Sequence, residues 1–497
     1  MDNSRRNLLI IAIVIIAGCL LATIVGISAL GYITITERST VVITTNEPIS
    51  VVTDIATPIE SEYREDKEEP TLVPTATPTV LDTVPEPTPS ETQEPSPEPI
   101  PPEIAEQMDQ IETEVIVLRN LQPSGFVTRA LLTRDQLRQK IENDFLEDYS
   151  PEEAQEDTIV LSALGLLETG FDMFTFYKDL LSEQIAGQYD HKAKEMDVVQ
   201  GSGFGGTERL TYAHEYTHAL QDQNFDIENG LEYTNEACEE DSERCAAVQA
   251  LLEGDASMLE LEWFTNYATT QDIIDIQEFY QDYESPIYNS APDFLREDFI
   301  FPYIYGQTFV EHLLDQGGWG AVNNAYIDLP VSTEQILHPE RYPDDRPVNV
   351  EIPDLTPAIG EGWRELDRGI MGEWYTFLIF AHGQNPDARL GDSEAQKASD
   401  GWGGDVYVIY TNDQNAGVVL VMHTSWESNN DATQFFNAFQ KHSTSRFGAP
   451  TTVRTNHLGW THEGGYTEIR MQDNITTWIL APGEDIAQNI WTAIQER

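Results

Sequence analysis

The segment Leu210-Thr-Tyr-Ala-His214-Glu215-Tyr-Thr-His218-Ala-Leu220 is where residue types and spacing most plainly point to chemistry. Two histidines four residues apart on a helix lie one turn apart on one face, so both imidazoles can grip a single metal ion. Zinc suits such a pair, with bonds to imidazole nitrogen of about 2.0–2.1 Å. Glu215 follows the first histidine directly. It need not bind metal and is placed to take a proton from water held at the ion. Zinc lowers the pKa of that water toward about 7, which makes hydroxide available at neutral pH. No Pro or Gly interrupts the segment, and apolar residues flank it.

A third ligand must come from another element. Leu252-Glu253-Gly254-Asp255-Ala256 lies on the next long helical pattern. Glu253 there closes a set of two histidines and one glutamate and leaves a fourth position open for water. Asp255 and Asp222 are carboxylates able to accept from the outer N–H of a metal-binding imidazole. For both, a solvated helix carboxylate is the plainer account. Hydrolysis also needs a group to stabilise an oxyanion. His338, Tyr305 and Tyr303 are the candidates, each with a structural role as the competing account. His191, His312, His423 and His462 show no metal spacing. Glu215 and His218 form the only Glu-x-x-His pair in the chain, which disfavours a di-iron bundle built from two such pairs.

These residues must be carried by particular elements. Helical patterns fall at about 104–120, 134–148, 151–168 and 173–183. The third opens with Ser150-Pro151-Glu152-Glu153, an N-cap, a Pro at N1 and a Glu at N3. Two short strands are expected, Gln184 to Tyr189 and Glu195 to Gln200. Gly-rich residues 201–206 then lead into a helix from Glu208 to Gln223. A second long helix is expected from Arg244 to Ala268, with Ala247, Leu251, Met258 and Leu261 at helical spacing. Another runs from Ile304 to Gln316 and stops at Gly317-Gly318. A tail domain begins near residue 360. It carries a helix at 372–382, strands at 405–411 and 417–423, and a helix at 428–443. Strands at 466–471 and 475–480 and a last helix from Glu484 complete an α+β pattern. No internal repeat is evident.

At His214-Glu215-x-x-His218 with the downstream Glu253 in a Glu-Gly-Asp-Ala setting, the sequence resembles the gluzincin zinc metallopeptidases. It also resembles a sparsely characterised group of bacterial membrane-anchored proteins. The stretches that carry this second likeness are His218-Ala-Leu-Gln-Asp-Gln223, Ser332-Thr-Glu-Gln-Ile-Leu-His-Pro339 and Gly401-Trp-Gly-Gly-Asp405. The resemblance implies a zincin-like catalytic domain over 104–355, one zinc ion and hydrolysis of peptide bonds. His214, His218 and Glu253 would be ligands and Glu215 the general base. The residues around Glu253 depart from the pattern of the best-known gluzincins.

The N-terminal part is read as anchor and stalk. Leu8 to Ile35 is almost unbroken apolar sequence, long enough to cross about 30 Å of hydrocarbon as a helix. Arg5 and Arg6 precede it, so the positive-inside bias keeps residues 1–7 in the cytoplasm and the globular part outside. Ile16-Ala17-Gly18-Cys19 looks like a lipoprotein lipobox, but the residues after Cys19 stay apolar, which favours an uncleaved span. Residues 45–103 hold 13 of the chain's 27 prolines, mixed with Thr, Ser and Glu. Such a stretch cannot bury a core and reads as an extended linker.

At 497 residues the chain has room for two or three domains, and 40 % hydrophobic content with nine Trp allows real cores. The net charge of −59 argues against nucleic acid as a partner, because that needs a basic face. Cys238 and Cys245 are seven apart and can close a small ring in an oxidising compartment. The fold class expected is thus α+β, with an N-terminal transmembrane helix, a Pro/Glu-rich linker, a mainly helical domain with a small sheet, and an α+β domain over 360–497. The function expected is a membrane-anchored, extracytoplasmic zinc peptidase acting on peptides or proteins. A non-catalytic binding or scaffold protein on the same fold is one rival, and a zinc hydrolase of a non-peptide amide is another.

Overall fold

The computed structural model describes residues 99–496, apart from 185, 200–202, 413, 415 and 416. The chain opens with α1 (Pro102–Arg119), β1 (Thr128–Leu132), α2 (Arg134–Asp148), α3 (Pro151–Leu164) and α4 (Met173–Gln184). Next come β2 (Gly187–Asp190), β3 (Glu195–Val199), α5 (Gly206–Phe225), α6 (Asn235–Glu240) and α7 (Ser242–Tyr267). Helices α8 (Thr270–Asp282), α9 (Pro286–Ser290), α10 (Asp293–Gly317), α11 (Trp319–Ala325), α12 (Thr333–Leu337) and α13 (Thr356–Ile359) follow. The last part holds β4 (Arg364–Gly369), α14 (Gly372–Ala381), α15 (Asp392–Ser399), β5 (Trp402–Asn412), β6 (Gly417–Trp426) and α16 (Asn429–Phe447). It ends with β7 (Thr452–Arg454), β8 (His457–His462), β9 (Gly465–Gln472), β10 (Ile475–Ala481) and α17 (Glu484–Gln495).

Two expectations are corrected here. No helix among the described residues is long and apolar enough to cross a membrane. The longest ones are too polar for it: α7 carries Glu253, Asp255, Glu260 and Glu262, and α10 carries Asp293, Arg296, Glu297 and Asp298. The fold class therefore stands without a transmembrane helix, as seventeen α-helices and ten strands among the described residues, and the single-pass location is withdrawn. The cytoplasmic segment 1–7, the span at 8–35 and nearly all of the linker at 45–103 lie outside the described residues.

Helices and two sheets position the site. The small sheet has the order β1-β3-β2, with β1 parallel and β2 antiparallel to β3. Strand β2 therefore lies at its edge, and it packs on α5. Helix α5 is buried almost all round, from Leu210 to Asp222. Such a helix belongs inside a helical layer, and α1, α7 and α8 surround it. Helix α7 lies against α10 at glycine: a Cβ on Gly254 would meet the Gly306 carbonyl carbon at 2.2 Å, and one on Gly306 would meet the Ala250 carbonyl oxygen at 2.1 Å. The two helices thus touch backbone to backbone. Cys238 on α6 and Cys245 on α7 are joined by a disulfide.

The second sheet is antiparallel throughout, in the order β4-β5-β6-β10-β9-β8-β7. Its central strands are covered on both faces. Val406, Val408 and Tyr410 face α13 and α17, while Tyr407 and Ile409 join the main core, as the period of two requires. Phe435 and Phe439 on α16 pack on Trp426 and Trp478 from the main-core side. That core is continuous from Ala130 to Trp478 and includes Trp374, Phe377 and Phe380 of α14. Residues on the two sides of the boundary expected near 355–360 share one hydrophobic core.

Candidate metal centre

Helix α5 brings His214, Glu215 and His218 to one place, and α7 brings Glu253 opposite them. The two imidazole Nε2 atoms are 3.1 Å apart, and each lies 3.4 Å from Oε2 of Glu253. Donor atoms bonded to one zinc at 2.0–2.1 Å in tetrahedral directions would be about 3.3 Å apart. The three separations match the edges of such a tetrahedron. His214, Glu215 and Glu253 are buried, at 1 %, 2 % and 5 % exposure. Glu253 Oε2 and Glu215 Oε1 have no hydrogen-bond partner among the described residues. Buried carboxylate oxygens without donors are costly, and a cation between these donors satisfies them. The chain thus contains a site fit to hold a metal ion.

Polar neighbours surround the candidate ligands. His214 Nδ1 lies 3.2 Å from Oε2 of Glu260. His218 Nδ1 faces Oε1 of Gln221 at 2.8 Å, and the Gln221 amide donates to the Leu252 carbonyl at 3.0 Å. Gln221 also reaches Asp255 at 3.2 Å. Asp255 itself is held by Arg119 at 2.7 and 3.0 Å and by the Tyr326 hydroxyl at 2.7 Å. It therefore acts on His218 only through Gln221. Asp222 accepts from Tyr189 at 2.7 Å and from Lys194 at 2.6 Å, away from both imidazoles. Glu260, which touches His214 directly, was missed in the sequence. Its signal was its spacing: seven residues after Glu253 is two turns along α7, on the same face.

The electrostatics divide the carboxylates. Burial alone would raise Glu253, but His218 and His214 overcome it and hold its carboxyl at about 2, so it is an anion ready for a cation. Burial raises Glu215, only partly countered by His214 and His218. Burial likewise raises Glu260 against its bond to His214. Burial opposes the charge on His214, yet its contacts with Glu253 and Glu260 raise it to about 10.

A cleft of about 530 Å³ opens onto these groups. Gly187, Gln188 and Tyr189 of the edge strand form one wall, Glu215, His218 and Glu253 the floor, and His191, Tyr233 and Gln249 further lining. A Cβ on Gly187 would come within 2.8 Å of Thr211 and 3.5 Å of Glu215, so the strand lies directly on the helix. None of the three oxyanion candidates lines this cleft. His338 pairs with Glu373 at 3.0 Å, Tyr303 is buried in α10, and Tyr305 packs on Phe301 and Trp374. Tyr233 is the residue the sequence did not single out. Its hydroxyl is buried with no hydrogen-bond partner among the described residues, and burial and the nearby Glu253 raise its pKa, so it keeps its proton. A larger cavity of about 660 Å³ lies beyond Gln249, lined by Leu161, Phe301, Trp374 and Tyr407. None of the groups that could hold a metal ion among the described residues lies in its lining.

Comparison with known proteins reaches a different part of the chain. Residues 361–491 match a family model described as a domain of unknown function, DUF8575. That stretch runs from just before β4 into α17 and excludes the metal centre. No curated protein and no solved structure matches the chain.

Proposed function

We propose that the protein is a zinc-dependent hydrolase acting on peptide bonds. The observation that carries this is the convergence of His214, His218 and Glu253 at tetrahedral-edge spacing, with Glu215 beside them in an open cleft. A structural metal has no use for a buried carboxylate next to it, whereas a hydrolase does. Two histidines and one glutamate would hold the ion, and a bound zinc supplies Lewis acidity toward water and the substrate carbonyl.

The chain's own residues supply the rest. Glu215, raised by burial, takes the proton from the attacking water and passes it to the leaving amine. Glu260 orients the His214 ring, and Gln221 orients that of His218. The Tyr233 hydroxyl is a donor for the developing oxyanion. The outer edge of β2 offers backbone groups to an extended peptide, in the manner of an added strand. That edge is what favours a peptide over a small amide.

The test is metal content and cleavage on the purified full-length chain. Wild type should carry zinc that is lost on His218→Ala and on Glu253→Ala. Glu215→Gln should keep the metal and lose cleavage of an unbiased peptide pool. Cleavage of small acyl amides but no peptides would move the substrate class. No zinc taken up by folded wild type would overturn the hydrolase and leave a binding protein on the same fold.

A further inference from the structure

A second cluster of ligating side chains sits where α12 meets α14 and α15. His338 ends α12, Glu373 lies in the first turn of α14, and Asp400 follows α15. One ligand atom from each falls within 4.8 Å of the others. The three come from separate elements, so the fold, not local sequence, has assembled them. His338 lies within one stretch that stands out in the sequence, Ser332–Pro339, and Asp400 directly precedes another, Gly401–Asp405.

Two observations separate this cluster from an ordinary ion-pair network. The first is Glu373. It is 3 % exposed. One carboxylate oxygen faces His338 Nε2 at 3.0 Å, while the other, Oε2, is buried with no hydrogen-bond partner among the described residues. A buried carboxylate oxygen left idle beside an imidazole nitrogen is an unsatisfied acceptor atom. The second is charge. Among the described residues the ion pairs of Glu334, Glu373, Asp400 and Glu427 share two basic groups, His338 and Arg341, and Asp345 lies beside Glu334 and Glu427. Arg341 does not fill the gap. Its guanidinium donates to Glu334 and to Oδ1 of Asp400, and its hydrogen bonds do not include Glu373.

We propose that His338, Glu373 and Asp400 form a second metal site, for a divalent transition ion of the zinc or manganese class. One imidazole nitrogen with two carboxylate oxygens suits such ions better than calcium or magnesium, which take oxygen ligands. Asp400 is about half exposed, at 51 % for its side chain, and gives the ion a way in from solvent. The ion ties α12 to α14 and α15, the elements within the DUF8575 match. Helix α12 in turn is tied to the helix that carries Glu253, because Thr333 donates to Glu243 in the first turn of α7 through its N–H at 2.6 Å and its hydroxyl at 2.7 Å. The site is therefore a joint between the two parts of the molecule. It stands independently of the hydrolase reading.

The experiment uses the full-length chain with the first centre silenced by His214→Ala and His218→Ala. That variant is dialysed against micromolar Zn²⁺ and, separately, Mn²⁺, and metal per chain is measured by elemental analysis. It should retain about one ion per chain. Adding Glu373→Gln, which keeps size and shape, should remove it. Adding Asp400→Asn, on the solvent side and away from the core, should weaken binding at least about tenfold. Circular dichroism establishes that each variant is folded. A folded silenced variant that binds neither ion, or that keeps its metal through both further substitutions, overturns the site and leaves His338 and Glu373 as an ion pair. Wild-type content separates the two centres: one ion lost on silencing means the first alone exists, and one ion lost only with Glu373→Gln means the second alone does.

Discussion

At the scale of residues, the argument turns on which side chains face the cleft and lack a partner. Tyr233 meets both conditions, and burial beside Glu253 keeps its hydroxyl protonated. If it donates to the oxyanion, Tyr233→Phe should lower kcat by about 10²–10³ with little change in KM, since removal of one such donor acts on the transition state. Zinc content should stay at the wild-type level. Equal activity in the two proteins would remove Tyr233 from the chemistry and turn attention to His191, which lines the same cleft. The candidate triad was legible in part, because helical spacing pairs the two histidines. His214 and His218 are four positions apart, and Glu253 lay on the next long helix. Tyr233, the candidate donor, was not legible. Tyr233 sits in a loop between α5 and α6, where no period ties a residue to the site. His338 was drawn away by Glu373, a partner 35 residues distant that no local pattern reveals.

At the scale of elements, the geometry of the candidate metal centre depends on how closely α7 is held. The Gly254 and Gly306 backbones meet with no room for a Cβ on either. Gly306→Ala must push α10 from α7 and shift Glu253, which adjoins Gly254. Overpacking of this kind costs about 1–3 kcal/mol. The expected result is a lower Tm together with weaker zinc binding, read by thermal denaturation with and without a chelator. A Tm drop with undiminished zinc affinity would show that Glu253 is held by other contacts. Helix patterns read from sequence located α5 and α7 within two residues at every end. The third pattern ran to 168, but Gly165 at φ +82° ends α3 at Leu164. The helix expected from Ile304 begins instead at Asp293 and passes through Pro302, because the helix on both sides is buried against α7. Short strands were the weak point. Strand β1 pairs in parallel with the distant β3, and its Arg129 faces out to Asp109 and Glu112, which disguises the apolar alternation. Gln184 belongs to the end of α4, so the first strand starts later, at Gly187.

At the scale of the whole molecule, a chain with net charge −59 still places carboxyl groups deep in its core. Asp298 on α10 accepts from the Trp374 indole at 2.8 Å and the Tyr375 hydroxyl at 2.7 Å, linking the part that carries the metal centre to α14. Asp367 on β4 accepts from Tyr407 at 2.6 Å. Burial raises Asp298 to about 6 and Asp367 to about 7, and their hydrogen bonds offset it only in part. An unfolded Asp titrates near about 3.9. Between that value and the folded ones the native state binds more protons than the unfolded state, so stability falls as pH rises. The contribution of these two groups is fully present below about 4 and is lost as pH passes through 6 to 7. Asparagine has the shape of the protonated acid and no charge to lose. The prediction is that Tm drops between pH 5 and pH 8 by more in wild type than in the Asp298→Asn/Asp367→Asn variant. Comparing the two slopes removes the general repulsion among surface carboxylates, which both proteins share. Parallel slopes would mean that the two carboxyls are ionised in the folded core throughout, and that Trp374, Tyr375 and Tyr407 stabilise the anions rather than the acids.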